Sequence, residues 1–253
     1  MMDQPPRTSL WGLIKRYVHL MGTYFRQKHD PLASLVFTVP IFLVYHLGIL
    51  LIELRNGVDL VSELTFRLLR HSLDAYVWTT VGVAAGLFAA GWFLKLRQGR
   101  VHLGWILPIV VESFFGAMVM FIAVDWITAQ IIDLQLGPMQ LGVVDRIILA
   151  AGAGFHEELV FRVFLYGGLI KAFSYVKQLG RFSGLFLATI VSSVIFSASH
   201  YLGPFGHPLE LSSFAFRFFS GIYLAVVYQW RGFAVVVYTH TFYDLLVFFL
   251  LMP

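Results

Sequence analysis

Residues 154 to 168 read GFHEELVFRVFLYGG, an otherwise apolar stretch that carries Glu157 and Glu158 beside His156, with Arg162 further on. Paired carboxylates near a cation are the raw material of general acid–base chemistry, because their environments can drive their proton affinities apart. On a helix, Glu158 and Arg162 stand four apart with the acid first, the favourable orientation for an ion pair on one face. Glu157 points about 100° away from Glu158 and has no local partner. Glu158 and Arg162 are therefore expected to form a structural clamp, and Glu157 to be the reactive carboxylate. Two more polar groups follow, FSASH at 196–200 and HTFYD at 240–244. In the second, His240 and Asp244 are four apart and share a helix face.

What these charges cost depends on their surroundings. The chain has 253 residues, is 58% hydrophobic and 13% charged, and has a mean hydropathy of +0.78. Those values lie outside the range of soluble domains and indicate a polytopic membrane protein. Apolar runs long enough to cross about 30 Å of hydrocarbon recur along the chain, without the short alternating segments of an outer-membrane barrel, so the fold class is all-α. A charge at the bilayer centre costs roughly 2.5–3.5 kcal/mol, so Glu157, Glu158 and Arg162 left unpaired would cost about 8–10 kcal/mol. The fold must offset that cost or use it. A buried network that only holds helices together is the plain alternative.

Spans are expected at 32–52, 75–94, 103–132, 146–170, 182–201, 212–230 and 232–251, about seven in all. Basic residues gather in the N-terminal tail (Arg7, Lys15, Arg16, Arg26, Lys28), at Lys95/Arg97/Arg100, at Lys171/Lys177/Arg181 and at Arg231. Acidic or mixed loops alternate with them, holding Glu53, Asp59, Glu63 and Asp74, then Asp133 and Asp145, then Glu210. The positive-inside rule then puts the N-terminus in the cytoplasm and the C-terminus outside. Ahead of the spans, Leu10, Ile14, Tyr17, Val18, Met21 and Phe25 recur at helical spacing. They predict an amphipathic helix, either on the membrane surface or packed on the protein's own loops. Lys15 and Arg16 break the apolar stretch, which argues against a cleaved signal peptide. Residues 1–142 hold this helix and the first three spans, and 143–253 the four spans that carry the polar motifs, within one integral domain.

Depth counts support a shared site. Glu157 is eleven residues inward from Arg146, about 16 Å at 1.5 Å per residue and near the midplane. His240 and Asp244 reach a similar depth from Arg231, whereas His200, about 28 Å from Arg181, is expected near the outer surface. With no cysteine, disulfides, thiolate metal sites and a Cys nucleophile are excluded. Leu-Met-Pro at the C-terminus is no lipidation signal. The basic excess comes without a basic stripe or aromatic platform, so no nucleic-acid partner is expected. Glu112 is read as pairing with another helix or lining a substrate path, and His46 and Arg217 as structural. Gly152, Gly154, Gly167, Gly168 and Gly221 are read as small residues for close helix approach.

Taken together, EELVFR, FSASH and HTFYD resemble the pattern E-E-x-x-x-R, F-x-x-x-H, H-x-x-x-N/D of the CPBP family of intramembrane endopeptidases. That family includes the CAAX prenyl proteases and the bacteriocin-processing and immunity-associated Abi proteins. The resemblance covers about residues 143–251, in the right order. It implies a catalytic set of Glu157, His200, His240 and Asp244, with Glu157 and His200 activating a water for attack on a peptide carbonyl. By the same resemblance Glu158 and Arg162 brace the site, and His240 and Asp244 stand on the oxyanion side. An ionised Asp244 cannot donate a hydrogen bond, so it is expected to orient His240 and leave donation to the imidazole.

His156-Glu157-Glu158-Leu159-Val160 begins like the zinc motif H-E-x-x-H, but Val160 replaces the second histidine. A metal-free, glutamate-dependent hydrolase is expected, with zinc held by His200, His240 and a carboxylate as the alternative. The expected activity is cleavage of a peptide near a lipidated or membrane-anchored end, with membrane lipids and a peptide or protein substrate as partners. Prenylated CAAX ends, leader peptides and sorting tags all fit. A proton-coupled transporter and a non-catalytic membrane scaffold are the competing classes; the first lacks the repeats and broken helices of such folds. The family points to a bacterial inner membrane.

Overall fold

The computed structural model describes residues 10–26, 31–52, 68–70, 72–98, 102–131, 141–202 and 208–251. Arg7, Lys28, Glu53, Asp59, Glu63, Arg100 and Asp133, which entered the topology reading, lie outside them. All described elements are helical. In chain order they are α1 (Leu10–Arg26), α2 (Pro31–Gly48), α3 (Leu73–Gln98) and α4 (Ile106–Ile131, entered through a 3₁₀ turn at Leu103–Trp105). A composite helix follows, here called α5, made of Val143–Gly152, Ala153–Glu157, Leu159–Tyr166 and Gly167–Ser174, its two middle pieces in π geometry. α6 (Arg181–Ser199), α7 (Leu211–Arg231) and α8 (Phe233–Leu246, ending in a π turn at Val247–Leu251) complete the chain.

The protein is an integral membrane protein. Five helical stretches are long and apolar enough to cross a bilayer: Leu73–Phe93, Leu103–Val124, Arg181–Ser199, Leu211–Arg231 and Phe233–Leu251. They coincide with five of the seven expected spans. The other two differ for physical reasons. The apolar part of α2 is Ser34–Gly48, about 22 Å of helix where the hydrocarbon layer needs about 30 Å. α5 carries Glu157, Glu158 and Arg162, and turns them into the protein rather than toward lipid.

Local sequence sets the ends of these helices. Asp145 Oδ2 accepts the Gly142 N–H at 2.9 Å where α5 starts, and Ser72 Oγ accepts the Ala75 N–H at 3.3 Å where α3 starts, side-chain oxygens meeting N–H groups that a first turn cannot satisfy. Between α7 and α8 the chain reverses at Gly232, whose φ of 85° would strain any residue with a Cβ.

α8 lies at the centre of the bundle. Every residue from Phe233 to Thr241 is buried, and the helix packs on α2, α4, α5 and α7. Ser113 Oγ donates to the Val235 carbonyl at 3.0 Å and Tyr223 Oη to the Gly116 carbonyl at 2.8 Å, bonds that tie helices together where apolar attraction between them is weak. The outer faces of α3, α4 and α6 expose Trp78, Phe88, Trp92, Phe115, Ile122 and Phe182, side chains at ease against lipid tails and costly against water.

Of the glycines read as contact points, three behave so. A Cβ on Gly154 would meet the Val237 carbonyl oxygen at 2.8 Å, on Gly152 the Tyr45 ring, and on Gly221 the Ser193 Cα at 3.1 Å. Gly168 faces open space, and Gly167 would meet only its own helix, at the Arg162 carbonyl oxygen, 3.6 Å away. α1 buries Tyr24 and leaves Trp11, Tyr17, Val18 and Phe25 exposed.

Candidate active site

The approach of α5 to α8 at Gly154 comes one turn before the two acids, and there α5 is π-helical. Wide turns of this kind are rare and recur at functional sites. Their effect is to aim Glu157 and Glu158, both buried, at α8 from neighbouring positions.

Glu158 accepts from His240 Nδ1 at 2.7 Å through Oε1, while its Oε2 lies 3.1 Å from Arg162 Nε. The contact with Arg162 is an ion pair at close distance whose angle does not suit a hydrogen bond. The guanidinium also lies 4.8 Å from the centre of the Phe196 ring, a favourable seat for a cation. Glu158 thus braces Arg162, as its spacing predicts, and in addition orients His240. The expectation that Asp244 does the orienting is corrected by this geometry. Asp244 Oδ1 lies on the other side of the imidazole, 3.6 Å from Nε2.

Glu157 Oε2 stands 3.8 Å from His200 Nε2 and 3.9 Å from His240 Nε2. These separations exceed a hydrogen bond, and one water molecule reaches across them. His200 Nδ1 lies 2.9 Å from the Phe196 carbonyl oxygen, and since a carbonyl only accepts, that nitrogen carries the proton. In the neutral ring, Nε2 is left as an acceptor facing Glu157. Counting along helices separates His200 from Glu157 in depth, yet they meet here; rise counted from one basic residue on each helix does not put two helices on one depth scale.

The four residues Glu157, His200, His240 and Asp244 line one cavity of about 280 Å³, together with Arg217 and Ser213 from α7. A larger cavity of about 930 Å³ lies between the Leu159–Tyr166 face of α5 and the facing ends of α6, α7 and α8. Among the described residues its lining holds no carboxylate and no imidazole. Among the described residues no group of three or more His, Asp or Glu side chains converges as a metal site.

Two residues of this cavity, Phe196 of the FSASH motif and Arg217, make contacts that a reading of the sequence does not assign to them. Phe196 touches the Arg162 guanidinium and holds its ring centre 5.1 Å from that of His200 and 6.2 Å from that of His240. Its i,i+4 spacing to His200 was the available signal. Arg217, read as structural, faces the cavity of the acids.

Two of the polar residues set aside are accounted for by packing. His46 Nδ1 lies 2.6 Å from Tyr76 Oη within the core. Glu112 receives Arg231 through two hydrogen bonds, Nε to Oε1 at 2.5 Å and Nη2 to Oε2 at 2.9 Å, and also accepts from Tyr24 Oη.

Residues 139–246 match the family model of the type II CAAX prenyl endopeptidase Rce1-like proteins. The matched stretch contains Glu157, Glu158, Arg162, His200, His240 and Asp244. This part of the chain is similar to the CAAX protease family. The first 138 residues lie outside the match. No curated protein and no solved structure matches the chain significantly. The matched stretch runs through α5 to α8, the helices that bring the three polar motifs to one cavity.

Proposed function

We propose that this protein is a glutamate-dependent intramembrane endopeptidase that hydrolyses a peptide bond near a lipidated or membrane-anchored end of its substrate. The observation that carries the reading is the placement of Glu157 Oε2 within 3.8 and 3.9 Å of two imidazole nitrogens in a cavity inside the helical bundle. A water held between Glu157 and His200 gives a proton to one of them as its oxygen adds to the carbonyl carbon. The carbonyl electron pair moves onto oxygen. His240, held by Glu158, faces that oxygen; because Nδ1–H is committed to Glu158, Nε2 donates only when the ring carries its second proton. Collapse re-forms the carbonyl, breaks the C–N bond and returns the proton to the leaving amine.

In this proposal Glu158 and Arg162 hold the geometry, Asp244 balances charge beside His240, and no metal takes part. The larger apolar cavity, walled by Leu159 and Val163, seats the substrate's hydrocarbon chain. The charge distribution further supports a cytoplasmic N-terminus with α1 on the membrane surface, and the family a bacterial inner membrane.

The test is cleavage of farnesylated CAAX-type peptides by the purified protein, read by mass spectrometry. Glu157→Ala is expected to lower the rate by about 10³-fold, within the range for general acid–base groups, with an unchanged melting temperature. Full activity in that variant sinks the proposal. A chelator is expected to leave the rate unchanged; loss restored by added zinc would move the same residues to a metal-dependent mechanism. Proton-coupled uptake in liposomes that depends on Glu157, without cleavage, would identify a transporter.

A further inference from the structure

Of the charged side chains lining the site cavity, Arg217 alone has no part in the water chemistry. It sits in α7, in the second turn of a membrane-spanning helix, with partial exposure. Its Nη1 donates to Tyr201 Oη at 2.9 Å and to Ser213 Oγ, and the guanidinium lies 5.4 Å from the Tyr201 ring centre. Those bonds use two of its five N–H donors and leave Nε and Nη2, one edge of the fork.

Two other arginines among the helices are matched to carboxylates, Arg162 to Glu158 at 3.1 Å and Arg231 to Glu112 at 2.5 Å. Arg217 differs. Among the described residues no carboxylate stands within ion-pairing distance of it, although Asp244 and Glu157 line the same cavity. A guanidinium keeps its charge at any accessible pH, and a cation in a membrane span without a counter-ion is costly. Tyr201 and Ser213 fix one edge of the fork and so present the other in a set direction, the arrangement that receives two anionic oxygens or one.

We propose that Arg217 binds an anionic oxygen of the substrate inside the catalytic cavity. This rests on the endopeptidase reading. Two oxygens of a peptide substrate have this chemistry: a free C-terminal carboxylate a few residues beyond the cleaved bond, and the oxyanion that forms on the attacked carbonyl. Kinetics separate them, since the first is present in the bound substrate and the second only as the reaction proceeds.

The experiment compares a farnesylated fluorogenic peptide with a free C-terminal carboxylate and its amide-capped twin, on wild type, Arg217→Gln and Arg217→Lys, with thermal melting as the folding control. Arg217→Gln is expected to lose about 10- to 100-fold in kcat/KM, the range for a charge-assisted hydrogen bond. A loss in KM confined to the free-acid peptide assigns the terminal carboxylate; a loss in kcat, equal on both peptides, assigns the oxyanion. Arg217→Lys keeps the charge without the fork and is expected to lose about tenfold in the same parameter. It also decides the matter if Arg217→Gln melts early. Either variant turning over both peptides within twofold of wild type overturns the proposal. Glu157→Ala keeps the two readings distinct: if it cleaves both peptides at the wild-type rate, the glutamate-dependent reading fails, and if the wild type cleaves neither peptide, the endopeptidase reading fails, whatever Arg217 does.

Discussion

Two clusters of charge lie within the helices of this protein, and they are built on opposite plans. At the α7–α8 turn, Glu112 meets both arms of Arg231, whose guanidinium lies 4.8 Å from the Tyr24 ring centre. Every strong partner is in contact, and the cluster ties α1 and α4 to the turn. About 13 Å further along α8, Glu157 is held 3.8 and 3.9 Å from its two imidazoles and Asp244 3.6 Å from His240. Here the acid and the imidazoles that face it stand about one water apart. A structural charge in lipid is saturated by its neighbours; a reactive one needs room for the atoms it will act on. Glu158 joins the two plans, since it touches Arg162 and His240 directly and so gives the open cluster a closed base.

The largest effects should come from the open cluster. His240→Ala is expected to lower peptide cleavage by about 10³-fold, because it removes a ring that faces both Glu157 and Asp244. Asp244→Asn should cost about tenfold or less, since Glu158 and not Asp244 fixes the imidazole. Equal losses in the two variants would erase the distinction between the contact at 2.7 Å and the approach at 3.6 Å.

The closed base should fail differently. Arg162→Met leaves Glu158 buried beside His240 without its cation, and removing one partner of a buried pair typically costs about 3–5 kcal/mol. We expect a large fall in melting temperature along with lost activity, whereas Glu157→Gln should lose activity and melt near wild type. If both variants melted alike, the division between holding and reacting carboxylates would be wrong.

The smallest effect on turnover is expected from Arg231→Gln. It should lower thermal stability by about 1–2 kcal/mol, discounted because both partners are partly exposed, and leave kcat within about twofold. A kcat loss as large as that of His240→Ala would show that the two clusters act as one.

Much of this was legible in the chain. Hydropathy and length gave five of the spans because burial in lipid is written into composition, residue by residue. The Glu158–Arg162 pair was legible because four residues along a helix is a local distance. What stayed hidden is what depends on neighbours far away in sequence: Glu158 with His240, 82 positions apart, and Glu112 with Arg231, 119 apart. The π turns were hidden for another reason. They change the angle per residue without changing which residues are apolar, so periodicity cannot report them. Arg217 read as structural because an arginine near a helix end has an ordinary explanation until its lack of a carboxylate partner is seen.

Two wide turns in α5 spread residues 153 to 166 over fewer revolutions than ordinary helix would use. Removing one residue there lets a wide turn tighten to an ordinary one, which keeps the helix beyond it near its register but takes the side chains within the turn out of the geometry that faces α8. Drift by point substitution is open to much of this protein; shortening α5 by a single codon is not, and a one-residue deletion between Gly154 and Tyr166 should be harsher than almost any replacement in the same stretch.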